Sequence, residues 1–167
     1  MSEVSGKVLG LIYRAADQYG LSLQVLFEGL PITLGKEPDR IEWDTLCTLH
    51  ERLGRLCEGR VTLDQIGEML FNVPRLQRTV AAVQLVASPQ MLLGMAHLWA
   101  GPAMFAPLDN SYEALPDGTM RVVARICEPY RDSPEFFRIN QGVFRALPRL
   151  LGLPDAHVTL EIRPRQG

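Results

Sequence analysis

Lysine is nearly missing from this 167-residue chain, which has only Lys7 and Lys36. Arginine carries the positive charge, and the net charge is −2. A duplex-binding domain usually shows a clustered basic footprint. Here the arginines are dispersed, with Arg131, Arg138, Arg145 and Arg149 crowding one region, and no nucleic-acid partner is expected. Cysteine is scarce as well. Cys47, Cys57 and Cys127 are odd in number and widely spaced, which argues against a disulfide framework or a zinc site. Small buried hydrophobes are the simpler reading. No apolar run approaches the about 18 residues of a membrane span, and no signal-peptide pattern opens the chain. A soluble, cytoplasmic protein without membrane insertion is expected.

The motifs of common chemistry are also missing. There is no G-x-x-x-x-G-K-[ST] or G-x-G-x-x-G to cradle phosphates. There is no H-E-x-x-H and no G-x-S-x-G. His50, His97 and His157 lie far apart in sequence. Asp39, Glu42, Asp44, Asp64 and Glu68 stand near expected helix starts, where they complement the dipole. Glu51 and Glu58 read as a solvated helix face. No catalytic residue is assigned, and a non-enzyme is expected.

What is present is a globular composition, 47% hydrophobic and 22% charged, in a length that favours one domain able to bury a core. Val4, Val8, Leu11, Ile12, Ala15 and Tyr19 recur at helical spacing, and Gly20 ends that helix. Ser22 caps a short helix with Leu23, Leu26 and Phe27. Trp43, Leu46, Cys47, His50, Leu53 and Cys57 define a third helix. Thr62 and Gln65 form a capping box for a fourth, running to Leu70. Pro74 and Ser88-Pro89 open two more, 74–87 and 90–100.

The period then changes. A strand over 111–115, the turn Pro116-Asp117-Gly118-Thr119 and a strand over 120–127 make a hairpin. Ser133-Pro134 starts the last helix. Its stripe of Phe136, Phe137, Val143, Phe144, Leu147, Leu150 and Leu151 is broken only by Asn140, with a kink expected at Pro148. Val158, Leu160 and Ile162 alternate with Thr159, Glu161 and Arg163, which predicts a final strand paired with 120–127. So exposed a sheet edge near the chain end suggests that the native protein continues, with this piece at its amino terminus. The fold class is α+β: a helical amino-terminal part, then helix, β-hairpin, helix and strand with a small antiparallel sheet.

Three stretches carry a resemblance. They are Met95-Ala96-His97-Leu98-Trp99 before the hairpin, Tyr130-Arg131-Asp132-Ser133-Pro134-Glu135 after it, and Asn140-Gln141-Gly142-Val143-Phe144. In this order they resemble the haem-nitric-oxide/oxygen-binding (H-NOX) fold. That family ligates haem iron with a histidine on the helix before the hairpin and holds the propionates with a Tyr-x-Ser-x-Arg motif. Here the serine is displaced by one position and Glu135 stands in the arginine position, so the resemblance implies an H-NOX-like sensory domain without haem. A haem gas sensor, with His97 as axial ligand and Tyr130, Arg131 and Ser133 at the propionates, is the alternative. Trp99-Ala100-Gly101-Pro102, Tyr130-Arg131 and 146–154 also resemble a domain at the front of bacterial sensor histidine kinases and, loosely, the effector domains of AraC-type regulators.

The resemblance implies a signal-sensing regulatory domain of a two-component system. Its small apolar ligand, or a protein partner, would lie against Met91, Met95, Trp99, Met104, Phe105 and Phe137, with Tyr130 and Arg131 as polar contacts. The apolar side chains near 91–105 read as core first, and as the lining of an apolar ligand cavity second. A dimerisation or adaptor module without a ligand is a further alternative, with a second copy of the chain as a candidate partner.

Overall fold

The computed structural model describes residues 3–72, 94 and 104–163. The expected helices at 74–87 and 90–100 lie outside the described residues. So do Met91, Met95, His97 and Trp99.

The chain opens with β1, Val4–Ser5, paired antiparallel with β2, Arg40–Ile41. Helical spacing assigns Val4 to the first helix, and the structure corrects this: helix α1 is Leu9–Tyr19, after a 3-10 turn at Gly6–Val8. The reason is local. The Gly6 amide donates to the Asp39 carbonyl at 2.8 Å. A Cβ at Gly6 would overlap the Pro38 carbonyl, so only glycine lets the two segments approach. Gly20, at φ 62°, closes α1 in the left-handed conformation.

Helix α2, Leu23–Phe27, is capped by Ser22, whose Oγ accepts from the Val25 amide. Its last carbonyls are met from a distance: Arg52 donates to the Leu26 and Glu28 carbonyls at 2.9 and 2.7 Å. Helix α3, Trp43–Cys57, carries the largest share of the core, including Trp43, Leu46, Leu49 and Leu53. Leu9, Ile12, Leu26 and Ile66 pack with them. Helix α4, Leu63–Glu68, starts at the expected capping box and runs into a 3-10 turn, Met69–Asn72.

Strands β3, Leu108–Ala114, and β4, Met120–Ile126, form the hairpin, with Leu108 opposite Ile126 and Ala114 opposite Met120. Its outer face carries opposite charges, and Glu113 and Arg121 pair at 3.5 Å. Its base is tied to the amino-terminal ribbon by a bridge between Val4 and Phe105. Helix α5, Pro134–Ala146, is capped by Ser133, whose hydroxyl accepts from the Phe136 amide at 3.3 Å. The expected kink at Pro148 is a change to a 3-10 turn, Leu147–Leu151, ended by Gly152 at φ 70°. The class is α+β, helices with, among the described residues, two small antiparallel ribbons.

The predicted final strand is overturned. Residues 153–163 form no helix and no ladder, and β4 pairs with β3 alone among the described residues. The alternation is nonetheless kept: Val158 and Leu160 are half-buried while His157, Thr159 and Glu161 are exposed. The segment lies against α5, where Gln141 Nε2 donates to the Val158 carbonyl at 3.1 Å.

Helices α4 and α5 cross with almost nothing between them. A Cβ at Gly67 would overlap the Ile139 carbonyl, and one at Gly142 would overlap the Asp64 carbonyl. Arginines clasp the crossing from α5. Arg145 donates to Asp64 and Glu68, both at 2.8 Å, and Arg149 reaches Glu68 and Asp155. Asp64, in the first turn of α4, is thus an ion-pair partner as well as a dipole complement, whereas Glu68 ends the helix and is an ion-pair partner only, a correction to its expected place at a helix start. Burial raises the Asp64 carboxyl, but hydrogen bonds from Thr62 and Arg145 more than offset it and hold the group below its ordinary value. A depressed carboxyl contributes stability that is present above the unfolded value and lost as pH falls through the folded one. Arg145→Met should therefore cost about 2 kcal/mol near neutrality. Urea unfolding at pH 7 and pH 3 should show that difference shrinking at the acid end.

Candidate functional site

The helical face at 43, 47, 50 and 51 meets the turn between β4 and α5. Every fourth residue of α3 returns to one side, so Trp43, Cys47 and Glu51 form a line, with His50 beside it. Trp43 is buried, and its Nε1 donates to the Arg131 carbonyl at 2.8 Å. Two turns along, the Arg131 guanidinium pairs with Glu51. Between these points lies the buried Cys47 thiol, beside Ser133 and Arg131. Burial pushes that thiol up to about 11, only partly offset by Ser133 and by the Arg131 charge. It is therefore protonated and a poor nucleophile at neutral pH. Cys57 is buried too, as expected, but Cys127 is exposed, a correction to its reading as a core hydrophobe.

Beneath the turn lies an aromatic cluster centred on Phe136. Phe105, Trp43 and Phe137 meet it edge-on at centroid distances of 5.0, 5.2 and 5.5 Å. His50 stacks on it at 6.2 Å. His50 is buried and its Nδ1 has no hydrogen-bond partner, and burial lowers its pKa to about 3. It is a neutral core imidazole.

A pocket of about 270 Å³ opens beside Trp43. Glu3, Glu42, Asp44, Pro129, Tyr130 and Arg131 complete its lining. Glu3 is part of the frame, since its Oε2 accepts from the Trp43 amide at 3.1 Å and so caps α3. The described site residues thus divide. Tyr130 and Arg131 stand at the pocket, while Phe105 and Phe137 pack around Phe136 and Met104 is half-buried. Sequence reasoning missed Glu3, Trp43 and Glu51 as site residues. Only the i, i+4 spacing of 43, 47 and 51 signals their common face, and it names no partner across the chain. Glu51, read as a solvated residue, is tied to Arg131.

The groups that the haem resemblance assigns to propionates are already engaged. Arg131 is held by Glu51 and Trp43, and the Ser133 hydroxyl accepts from the Phe136 amide. They do not fit a pair of incoming carboxylates. Among the described residues no three His, Cys, Asp or Glu side chains are grouped to hold a metal ion, and no described helix is long and apolar enough to cross a membrane. No family model matches the chain, and no curated protein or solved structure is significantly similar to it.

Proposed function

We propose that the chain is a signal-sensing regulatory domain whose input is a small ligand or a partner segment engaged at the Pro129–Arg131 turn. The observation that carries this reading is the double attachment of Arg131 to α3, at the wall of a pocket. Whatever moves the turn moves a residue that α3 holds by both its backbone and its side chain. Ser133, two residues on, caps α5, so the same displacement reaches that helix. A ligand shifts such an equilibrium only by its differential affinity for the two arrangements. The carboxylates of Glu3, Glu42 and Asp44 around the aromatic wall favour a ligand carrying positive charge over a purely apolar one. A downstream signalling module, such as a histidine kinase, would read the change.

The test is mass spectrometry of an organic extract of the purified protein, with the visible absorption spectrum taken first. The extracted compound is then added back during thermal unfolding. Arg131→Ala breaks an exposed pair and should lower the ligand-free stability by only about 0.2–1 kcal/mol. It should abolish the ligand-induced rise in melting temperature. An undiminished rise in the variant would remove the turn from the site.

A further inference from the structure

Residues 157–163 run beside a groove and pair with no strand among the described residues. Arg163 Nε donates to Glu161 Oε1 at 2.9 Å. Side chains two apart share a side in extended backbone, and burial alternates from His157 to Glu161, after which Ile162 and Arg163 are both exposed. Apart from the Val158 carbonyl, the backbone groups of this segment have no hydrogen-bond partner among the described residues. An extended edge with open donors and acceptors is a template for another strand. Next to it, Leu160 and Ile162 line a groove of about 1130 Å³ shared with α3, α4 and α5, and Val61 and Leu63 give it further apolar surface. Ile162 is 42% exposed there.

The charges in this groove point to the occupant. Glu51 and Asp64 are neutralised by Arg131 and Arg145. Arg55, Glu58, Glu135 and Arg138 also line the groove, and their side chains form no ion pair among the described residues. Two acids and two bases on one patch, without an ion pair among the described residues, suit a two-fold copy of that patch, because an isologous interface must complement itself. The strand has the same property. With Leu160 opposite Leu160 in an antiparallel pair, Val158 meets Ile162 and Thr159 meets Glu161. The apolar residues of both strands share one face, and no like charges stand opposite.

We propose that residues 157–163 of two copies pair antiparallel about Leu160 and close this groove into a dimer interface. The inference does not rest on the ligand reading, although the two sites adjoin through one ion pair: Glu51 lines this groove and its partner Arg131 lines the pocket beside Trp43.

Sedimentation of the full chain over a range of concentrations tests it. A monomer–dimer equilibrium is expected. Thr159→Pro removes a ladder amide, and Arg138→Glu upsets the charge balance. Each should raise the dissociation constant at least about tenfold, equivalent to about 1.4 kcal/mol, with unchanged circular dichroism. A synthetic peptide of residues 156–163 should dissociate the dimer, a readout that does not depend on either variant folding. A chain that stays monomeric overturns the proposal. So does a dimer indifferent to both variants and to the peptide.

Discussion

The His50→Leu variant should lose most of the pH dependence of stability between pH 6.5 and 4.5. In the native state His50 is neutral, because burial holds its pKa at about 3. In the unfolded chain the imidazole takes a proton near its ordinary value of about 6.5. Between those values the unfolded state binds more protons, so stability is complete above about pH 6.5 and declines as pH falls. From pH 7 to 4.5 the loss should be on the order of 2–3 kcal/mol. Leucine is similar in volume and carries no titrating group. It also removes the unpartnered Nδ1, so the variant should equal or exceed wild-type stability at pH 7. Paired urea titrations across this range measure the difference. A slope equal to that of the wild type would mean that His50 is hydrated or charged in the native state.

The second large effect belongs to the α4–α5 crossing. Gly67→Ala or Gly142→Ala should each cost about 3 kcal/mol or more, the upper range for overpacking. The obstruction at each site is a backbone carbonyl on the facing helix, Ile139 for one and Asp64 for the other. A flexible side chain could rotate aside, but a helical carbonyl cannot, so the helices must separate. The melting temperature should fall by roughly 6–12 °C. The double variant should cost less than the sum, because one separation relieves both overlaps. Gly10→Ala is the control. It lies on the exposed face of α1 with open space around its Cβ direction, and should be neutral or stabilising by about 0.5–1 kcal/mol. Equal effects at positions 10, 67 and 142 would contradict the close crossing.

Signals confined to one turn of chain were legible in the sequence. The Ser22, Thr62 and Ser133 caps, the left-handed glycine at 20 and the hairpin turn stand where the sequence places them. Asn140, the odd polar residue in the apolar stripe of α5, is satisfied one turn back by donating to the Phe136 carbonyl at 2.8 Å. The β1–β2 ribbon was invisible because two-residue strands have no period to detect. At 157–163 the alternation marks a half-buried face at Val158 and Leu160 but not at the exposed Ile162, and a face does not name what it lies on, here a helix. The candidate site was half visible for the same reason. Tyr130 and Arg131 stood out locally, whereas Trp43 and Glu51 reach them across 88 and 80 residues of chain.

How the turn lets go follows from the two attachments of Arg131. One residue is held at two places on one rigid helix, through its carbonyl by Trp43 and through its guanidinium by Glu51. Either hold alone is weak, about 0.5–1.5 kcal/mol for the hydrogen bond and less for the ion pair. While one persists, however, the other re-forms as an intramolecular event at high effective concentration. Release therefore requires both to fail together, so the turn opens as a unit rather than by degrees, and a modest competing contact at either hold weakens the attachment at both.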